Sequence, residues 1–282
     1  MSGESRIAIL MATYNGAKYL REQIDSILRQ TCSNWVLYIH DDGSADSTCD
    51  IAKDYSSRYP DKIVILDYAS QGGACMNFLS MLRSVDADYY MFSDQDDVWM
   101  DDKIEKEWNR LRKEEESHPD KPVVVFSDLI VTDSALQPVH RSLWTIAGIY
   151  PQYITNFSEM AANTLVTGCT MLFNRKVKDL LPATSKHVTM HDAWIACCTM
   201  KNGGFLLPVW EPTVLYRQHG ANTLGAQNVA GKSLFQKILN FSSSYQINKA
   251  NYLMLKDLSY GSMFKYIWYK YVYHQKISKS AL

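Results

Sequence analysis

An α/β fold built on a mostly parallel sheet is what this 282-residue chain predicts, and three features predict it. Apolar runs of five to seven residues recur through the first half of the chain. Stretches with helical spacing separate them, and acidic clusters follow the ends of the second and fourth runs. Strands that alternate with helices form βαβ units, whose crossovers place helices on both faces of a parallel sheet. The length suffices for one large domain with a real core.

The elements follow in order. RIAILMA (6–12) is continuously apolar, as expected of a strand buried on both faces. Leu20, Ile24, Ile27 and Leu28 then recur at helical spacing behind Asn15-Gly16, a capping pair. The cycle continues with strand 35–40, helix 46–59, strand 62–68, helix 74–85, strand 88–93, helix 101–116 and strand 123–127. Asp46 and Asp101 suit helix caps. Beyond residue 128 the rhythm changes to a mixed half. A hairpin turning near 133–137 comes first, followed by a strand at 164–174 and a helix at 192–200. The strand-like run 205–218 is broken by Pro208 and Pro212, which predicts pairing at a sheet edge. From about Gly231 the pattern is helical, so residues 1–230 read as one unit, divided near 127/128, with 231–282 as a helical C-terminal extension.

Composition narrows the class. Apolar residues are 46% and charged residues 21%, which excludes a disordered chain. No run approaches the roughly 20 apolar residues of a spanning helix, and the N-terminus lacks a signal-peptide pattern. Six cysteines without a CxxC pair predict reduced, structural thiols in a cytoplasmic protein. The formal charge of −1 hides an asymmetry. From Lys232 onward there are eight Lys and one Asp, a balance of +7, which leaves 21 basic and 29 acidic side chains upstream, or −8.

The acidic clusters HDDGSAD (40–46) and SDQDD (93–97) fall where open α/β sheets bind ligands, at the carboxyl ends of strands near the switch in strand order. Adjacent carboxylates repel and are costly to desolvate without a cation or hydrogen-bond donors. Asp94 and Asp96 can offer oxygens to one Mg²⁺ or Mn²⁺. Asp41 and Asp42 suit hydrogen bonds from a base N–H and from ribose hydroxyls. Solvated turns and helix caps are the plain structural alternative.

ATYNGAKYLREQIDSILRQT, HDDGSADST and SDQDDVW, in this order and spacing, resemble the inverting family 2 glycosyltransferases of the Rossmann-like GT-A fold. The likeness covers roughly residues 5–225. With the later HDAW and YRQHGANTLG, it resembles the rhamnosyltransferase-like subgroup that builds bacterial surface polysaccharides. The resemblance implies that Thr13, Tyr14 and Asn15 lie beside the nucleotide, that Asp41 or Asp42 meets the base, and that Gly73 and Asn77 sit near the donor. Where the family often has a basic residue before that Asn, this chain has Met76. Asp94, Gln95 and Asp96 form the DXD motif, with Asp96 and Asp94 toward the metal and His219 completing the metal or diphosphate site. Asp192 takes the place of the catalytic base and His191 that of its usual Glu neighbour; an N-terminal helix cap is the alternative for Asp192. Gly168, Cys169 and Thr170 line the acceptor side, while Trp194 and Trp99 either stack on sugar or are ordinary core. Arg217 offsets phosphate charge or is a surface residue. The QxxRW signature of processive members is absent, which predicts single additions.

The reading is therefore a metal-dependent transferase moving one sugar from a UDP- or dTDP-sugar to a glycan, with a lipid-linked acceptor. A nucleotidyltransferase, or an inactive sugar-nucleotide-binding or glycan-binding protein, is the alternative. The tail 232–282 carries 11 of the 34 aromatic residues along with its lysines. That mixture suits an anionic membrane surface, packing on the body, or a homodimer contact. Nucleic acid is excluded by an acidic body, a tail without Arg, and the lack of any binding module.

Overall fold

The computed structural model describes residues 6–163, 165–182, 187–219 and 241–280. The expected boundary at 230/231 and the 220–225 end of the YRQHGANTLG motif lie outside them. Among the described residues, nine strands form one sheet. They are β1 (Ile7–Thr13), β2 (Trp35–Asp41), β3 (Ile63–Ile65), β4 (Tyr89–Ser93), β5 (Val98–Trp99), β6 (Val123–Thr132), β7 (Pro138–His140), β8 (Met171–Asn174) and β9 (Phe205–Arg217). The order is β3-β2-β1-β4-β8-β6-β9-β5, with β7 on β6. Strands β3, β2, β1 and β4 run parallel, whereas β8 is antiparallel to both β4 and β6. The sheet thus has a parallel half and a mixed half.

Helices α1 (Leu20–Leu28), α2 (Thr48–Arg58), α3 (Ala74–Ser84) and α4 (Lys103–Ser117) make the crossovers of the first half. Short α5 (Leu143–Ala147), α6 (Phe157–Ala162) and α7 (Arg175–Asp179) follow in the second, then α8 (His191–Lys201), α9 (Phe241–Asp257) and α10 (Met263–Ser280). Successive β1 residues serve opposite faces, as the two-residue strand period requires. Ala8 and Leu10 join Phe78, Phe92, Phe173 and Trp194 on one side, while Ile7, Ile9 and Met11 join Leu20, Ile24 and Leu37 on the other. Burying each such large side chain contributes about 1.5–3 kcal/mol.

Several expectations need correction. The strand expected at 62–68 is only Ile63–Ile65, and that at 164–174 is Met171–Asn174 behind a 3₁₀ turn at Gly168–Thr170. The run 205–218 lies between β6 and β5 in the strand order, but β5 meets it only at Val214 and Leu215, so the stretch with the two prolines is an edge as expected. Pro208 and Pro212 are tolerated because β5 reaches only Val214 and Leu215, leaving β9 one partner strand where the prolines fall. Tyr19, not the Asn15-Gly16 pair, precedes the first turn of α1. Ser47 and Asp102, not Asp46 and Asp101, stand at the cap positions of α2 and α4; Asp46 accepts from the Thr48 N–H at 3.0 Å from one residue further out, and Asp101 pairs with Arg29.

The aromatic C-terminal helices share the body's core. Met254, Leu255, Leu258, Tyr260 and Tyr266 belong to the cluster that contains Phe92 and Trp194. The Tyr260 hydroxyl donates to the Ser158 carbonyl at 3.0 Å and the Tyr273 hydroxyl accepts from the Tyr150 N–H at 2.8 Å. Three lysines of α10 turn inward as well: Lys265 donates to the Tyr260 carbonyl, Lys270 to Asn248 Oδ1, and Lys276 to Glu159. Among the described residues, no helix is long and apolar enough to cross a membrane.

One ion pair lies wholly inside. Lys103 donates to Glu107 at 2.5 Å with both side chains fully buried, and Thr213 and Ser127 extend the network. Removing one partner of such a pair strands the other charge. Lys103→Met is expected to cost about 3–5 kcal/mol in urea unfolding, and adding Glu107→Leu to recover most of that loss.

Candidate active site

The carboxyl ends of β1, β2 and β4 form one rim, and the loops leaving them are cross-linked. Thr13 is buried and donates through Oγ1 to Asp41 Oδ1 at 2.9 Å. Asn15 has φ 48°, places its N–H on Ser44 Oγ at 2.7 Å, and accepts from the Ala45 N–H at 2.8 Å. Gln95 clamps the backbone of exposed Tyr14 from both sides, accepting its N–H and donating to its carbonyl, each at 2.9 Å. A Cβ at Gly16 would lie 2.1 Å from Gln95 Oε1, so a side chain there would displace the clamp.

Asp41 and Asp42 each gather donors. Asp41 accepts from Thr13, from the Ser44 hydroxyl, and from the N–H groups of Gly43 and Ser44. Partial burial pushes its carboxyl up, but the Ser44 and Thr13 hydrogen bonds outweigh this and hold it below the ordinary range. Asp42 accepts from Ser70 Oγ and from the N–H groups of Gln71, Gly72 and Gly73, so it organises the loop that leads into α3. Gly72 and Gly73 adopt φ 77° and 129°, and Gly73 ends on the first turn of α3. Asn77 is a correction. Its side chain is buried and bound to His40 through Nδ1 at 2.7 Å, so the amide ties β2 to α3 instead of facing a donor.

The acidic centre stands at the end of β4. Asp96 Oδ2 lies 2.8 Å from His219 Nε2, and the His219 ring packs on Tyr19 at 4.9 Å. Behind them, ligand atoms of Asp94, Asp97 and Cys169 all fall within 4.8 Å of one another. Burial, then Asp96, then Asp192 push the Asp94 carboxyl up to about 7. Asp97 is fully buried, its Oδ1 accepts from the Arg217 N–H, and its Oδ2 has no hydrogen-bond partner. Burial first, then Asp96 and Asp94, raise its carboxyl well above the usual range. Crowded carboxylates with an orphaned buried oxygen and a neighbouring imidazole are a donor set that fits a divalent cation. Asp97 was not singled out from the sequence; its place in the SDQDD run was the available signal. Cys169 lies beside this centre, and burial pushes its thiol well up, which removes it as a nucleophile.

Arg217 is not a surface residue. It is 2% exposed, donating to the Asp96 and Ser134 carbonyls at 2.8 Å and to Glu22 at 2.5 Å, and lies over the Tyr19 ring. It therefore fastens the acidic loop to α1 and to the β6–β7 turn.

Asp192, in the first turn of α8, faces the same centre. Its Oδ2 accepts from the Gly168 N–H at 3.0 Å and its Oδ1 from the Ala193 N–H at 2.6 Å. The residue at the cap position is Met190, so Asp192 is not the helix cap. His191 does not orient it. Its ring is buried between Phe78 at 4.4 Å and Phe92 at 4.8 Å, with neither ring nitrogen hydrogen-bonded. Burial lowers its basicity, leaving it neutral near pH 7. Gly168 makes room for that ring, since a Cβ would lie 2.6 Å from His191 Nε2. Thr170 is buried and donates to the Thr167 carbonyl. Trp194, at 2% exposure, and Trp99, at 1%, are core residues and offer no sugar-stacking face.

Two outcomes follow from this geometry. Because the folded Asp41 carboxyl lies below its unfolded value, its contribution is present above about pH 4 and lost as pH falls through the folded value. Asp41→Asn should therefore flatten the acid limb of a denaturation series run from about pH 6 to about pH 3. Gly168→Ala should displace His191 and the N–H that holds Asp192, lowering kcat for sugar transfer more than it lowers Tm.

Known proteins resemble this chain. It is 29% identical to the dTDP-rhamnosyl transferase RfbG of Shigella flexneri over 81% of this chain and 78% of that one. The putative glycosyltransferase EpsE of Bacillus subtilis is 32% identical over 40% of this chain and 41% of its own. The mannosyltransferase PcManGT from Pyrobaculum calidifontis, in complex with GDP-Man and Mn²⁺, superposes on 99% of this chain and 85% of its own, with a TM-score of 0.59 at 15% identity. S. aureus TarS 1–349 in complex with UDP-GlcNAc covers 81% of this chain with a TM-score of 0.54 at 15% identity, and the chain spans 62% of its length. These structures share the GT-A glycosyltransferase fold. Residues 8–181, more than half of the chain and including every strand-end carboxylate described above, match the Glycosyl transferase family 2 profile, and the chain belongs to that family of transferases.

Proposed function

We propose that the protein is an inverting, metal-dependent, non-processive transferase that moves one sugar from a UDP- or dTDP-sugar, with dTDP-rhamnose as the first candidate, to a hydroxyl of a lipid-linked glycan in surface-polysaccharide synthesis. One observation carries the reading: Asp96 from the end of β4 pairs with His219 beyond β9, and Asp192 from α8 is held on Gly168, next to the Cys169 whose thiol lies within 4.8 Å of Asp94 and Asp97. The name of the Shigella relative supports the dTDP-rhamnose choice.

In this reading Asp94 and Asp96 with His219 hold Mn²⁺ or Mg²⁺, which when bound neutralises diphosphate charge. The rim of Thr13, Tyr14, Asn15, Asp41, Asp42 and Gly73 receives the nucleoside. Asp192 accepts the proton of the acceptor hydroxyl while that oxygen bonds to the anomeric carbon. The bond from that carbon to the diphosphate breaks on the opposite face, and the nucleoside diphosphate departs with the bonding pair. The Gly168 and Ala193 N–H groups fix the carboxylate for this task. Gly168, Cys169 and Thr170 form the floor of the acceptor side. A nucleotidyltransferase has no part in family 2.

The test pairs binding with turnover. UDP- and dTDP-sugars with Mn²⁺ or Mg²⁺ should raise Tm, as any ligand of the native state does. Asp192→Asn should keep that rise and lose about 10²–10⁴-fold in transfer, whereas Asp96→Asn should lose both. Full transfer by Asp192→Asn would remove it as the base, and no Tm response to either nucleotide class would remove the donor assignment.

A further inference from the structure

Helix α10 presents a face that nothing in the described chain covers. Phe264, Ile267, Trp268 and Tyr271 are 77%, 58%, 52% and 55% exposed. Their spacing of i, i+3, i+4 and i+7 puts them on one stripe. Trp268 and Tyr271 adjoin, with ring centroids 6.0 Å apart. The opposite face is committed to the body through buried Tyr266 and Tyr273 and through the Lys270 and Lys276 contacts. The exposed stripe is therefore not the side by which α10 docks.

We propose that this stripe seats the enzyme on the surface of an anionic lipid bilayer, with α10 lying in the interface plane. Three arguments select a lipid surface over a second copy of the chain. First, Trp and Tyr beside aliphatic and Phe side chains are the composition that headgroup–acyl boundaries favour. Second, the four side chains offer roughly 500 Å² of accessible surface, less than the about 800 Å² per partner of a standard protein interface. Third, the stripe belongs to the segment with a balance of +7, while the rest of the chain carries −8. Two copies joined by this face would set against each other two α10 helices that carry lysines and no acidic residue. An anionic surface would instead attract the segment and repel the body, turning the stripe toward the lipid. The lysines of α10 act through this field and not as the polar face of a free amphipathic helix, because Lys265, Lys270 and Lys276 are tied inward. The proposal rests on the lipid-linked acceptor for its purpose, since it brings the transferase to the plane where such an acceptor lies.

The test uses the full chain, with sedimentation on phosphatidylcholine vesicles with and without one-third phosphatidylglycerol, and light scattering without lipid. The wild type should sediment with the anionic vesicles and be released by salt. Trp268→Ser/Tyr271→Ser should keep a cooperative thermal transition and partition at least about tenfold less. Equal sedimentation of the two proteins, or no sedimentation of the wild type, would overturn the proposal. So would a wild-type dimer that the double variant abolishes while neither binds vesicles. Donor-induced stabilisation is measured separately on both proteins. Its absence would count against the nucleotide-sugar reading and leave vesicle binding untouched.

Discussion

Four carboxylates crowded at one end of a sheet repel one another, and much of the molecule is arranged to keep them there. Asp94, Asp96 and Asp97 leave β4 within four residues, and Asp192 approaches from α8. Neutral and cationic anchors hold each approach. Arg217 holds the Asp96 carbonyl and the Asp97 carboxylate, Gln95 grips Tyr14, and Gln23 in α1 donates to Ser93 at 2.8 Å. The Gly168 N–H holds Asp192.

The parallel half and the mixed half divide this labour. The first half supplies the strand ends and their loops through short local crossovers. The second half supplies what closes the centre from the far side: α8 with Asp192, and β9 with Arg217 leading to His219. Residues 94, 192 and 219 meet only because β8 inserts antiparallel between β4 and β6, and β9 then runs alongside β6. Assembly of the centre therefore requires the complete sheet, not the parallel half alone.

The same division explains what was legible in the sequence. Buried parallel strands leave continuous apolar runs, so 6–12, 35–40 and 88–93 were readable within a residue or two. The carboxylates were readable because a strand end followed by acids is a local pattern. What depends on distant partners was not. The two prolines of β9 mark the stretch with a single partner strand, but nothing local reveals that β5 pairs just beyond them. Asn77 and Trp194 turn inward for reasons set by His40 and by the Phe78–Phe92 layer. Arg217 looks like a surface cation until Glu22, Ser134 and Tyr19 are folded around it.

The loops around Asp41 and Asp42 have a thermodynamic consequence for any molecule that docks on them. Each carboxylate already holds four donors from its own and neighbouring loops, and Asn15 stitches the β1 loop to the β2 loop in both directions. The entropy of ordering these segments is settled when the chain folds. An incoming ligand meets a rim already shaped, so its affinity is drawn down little by loop immobilisation and depends instead on how well its own polar groups replace water along that rim.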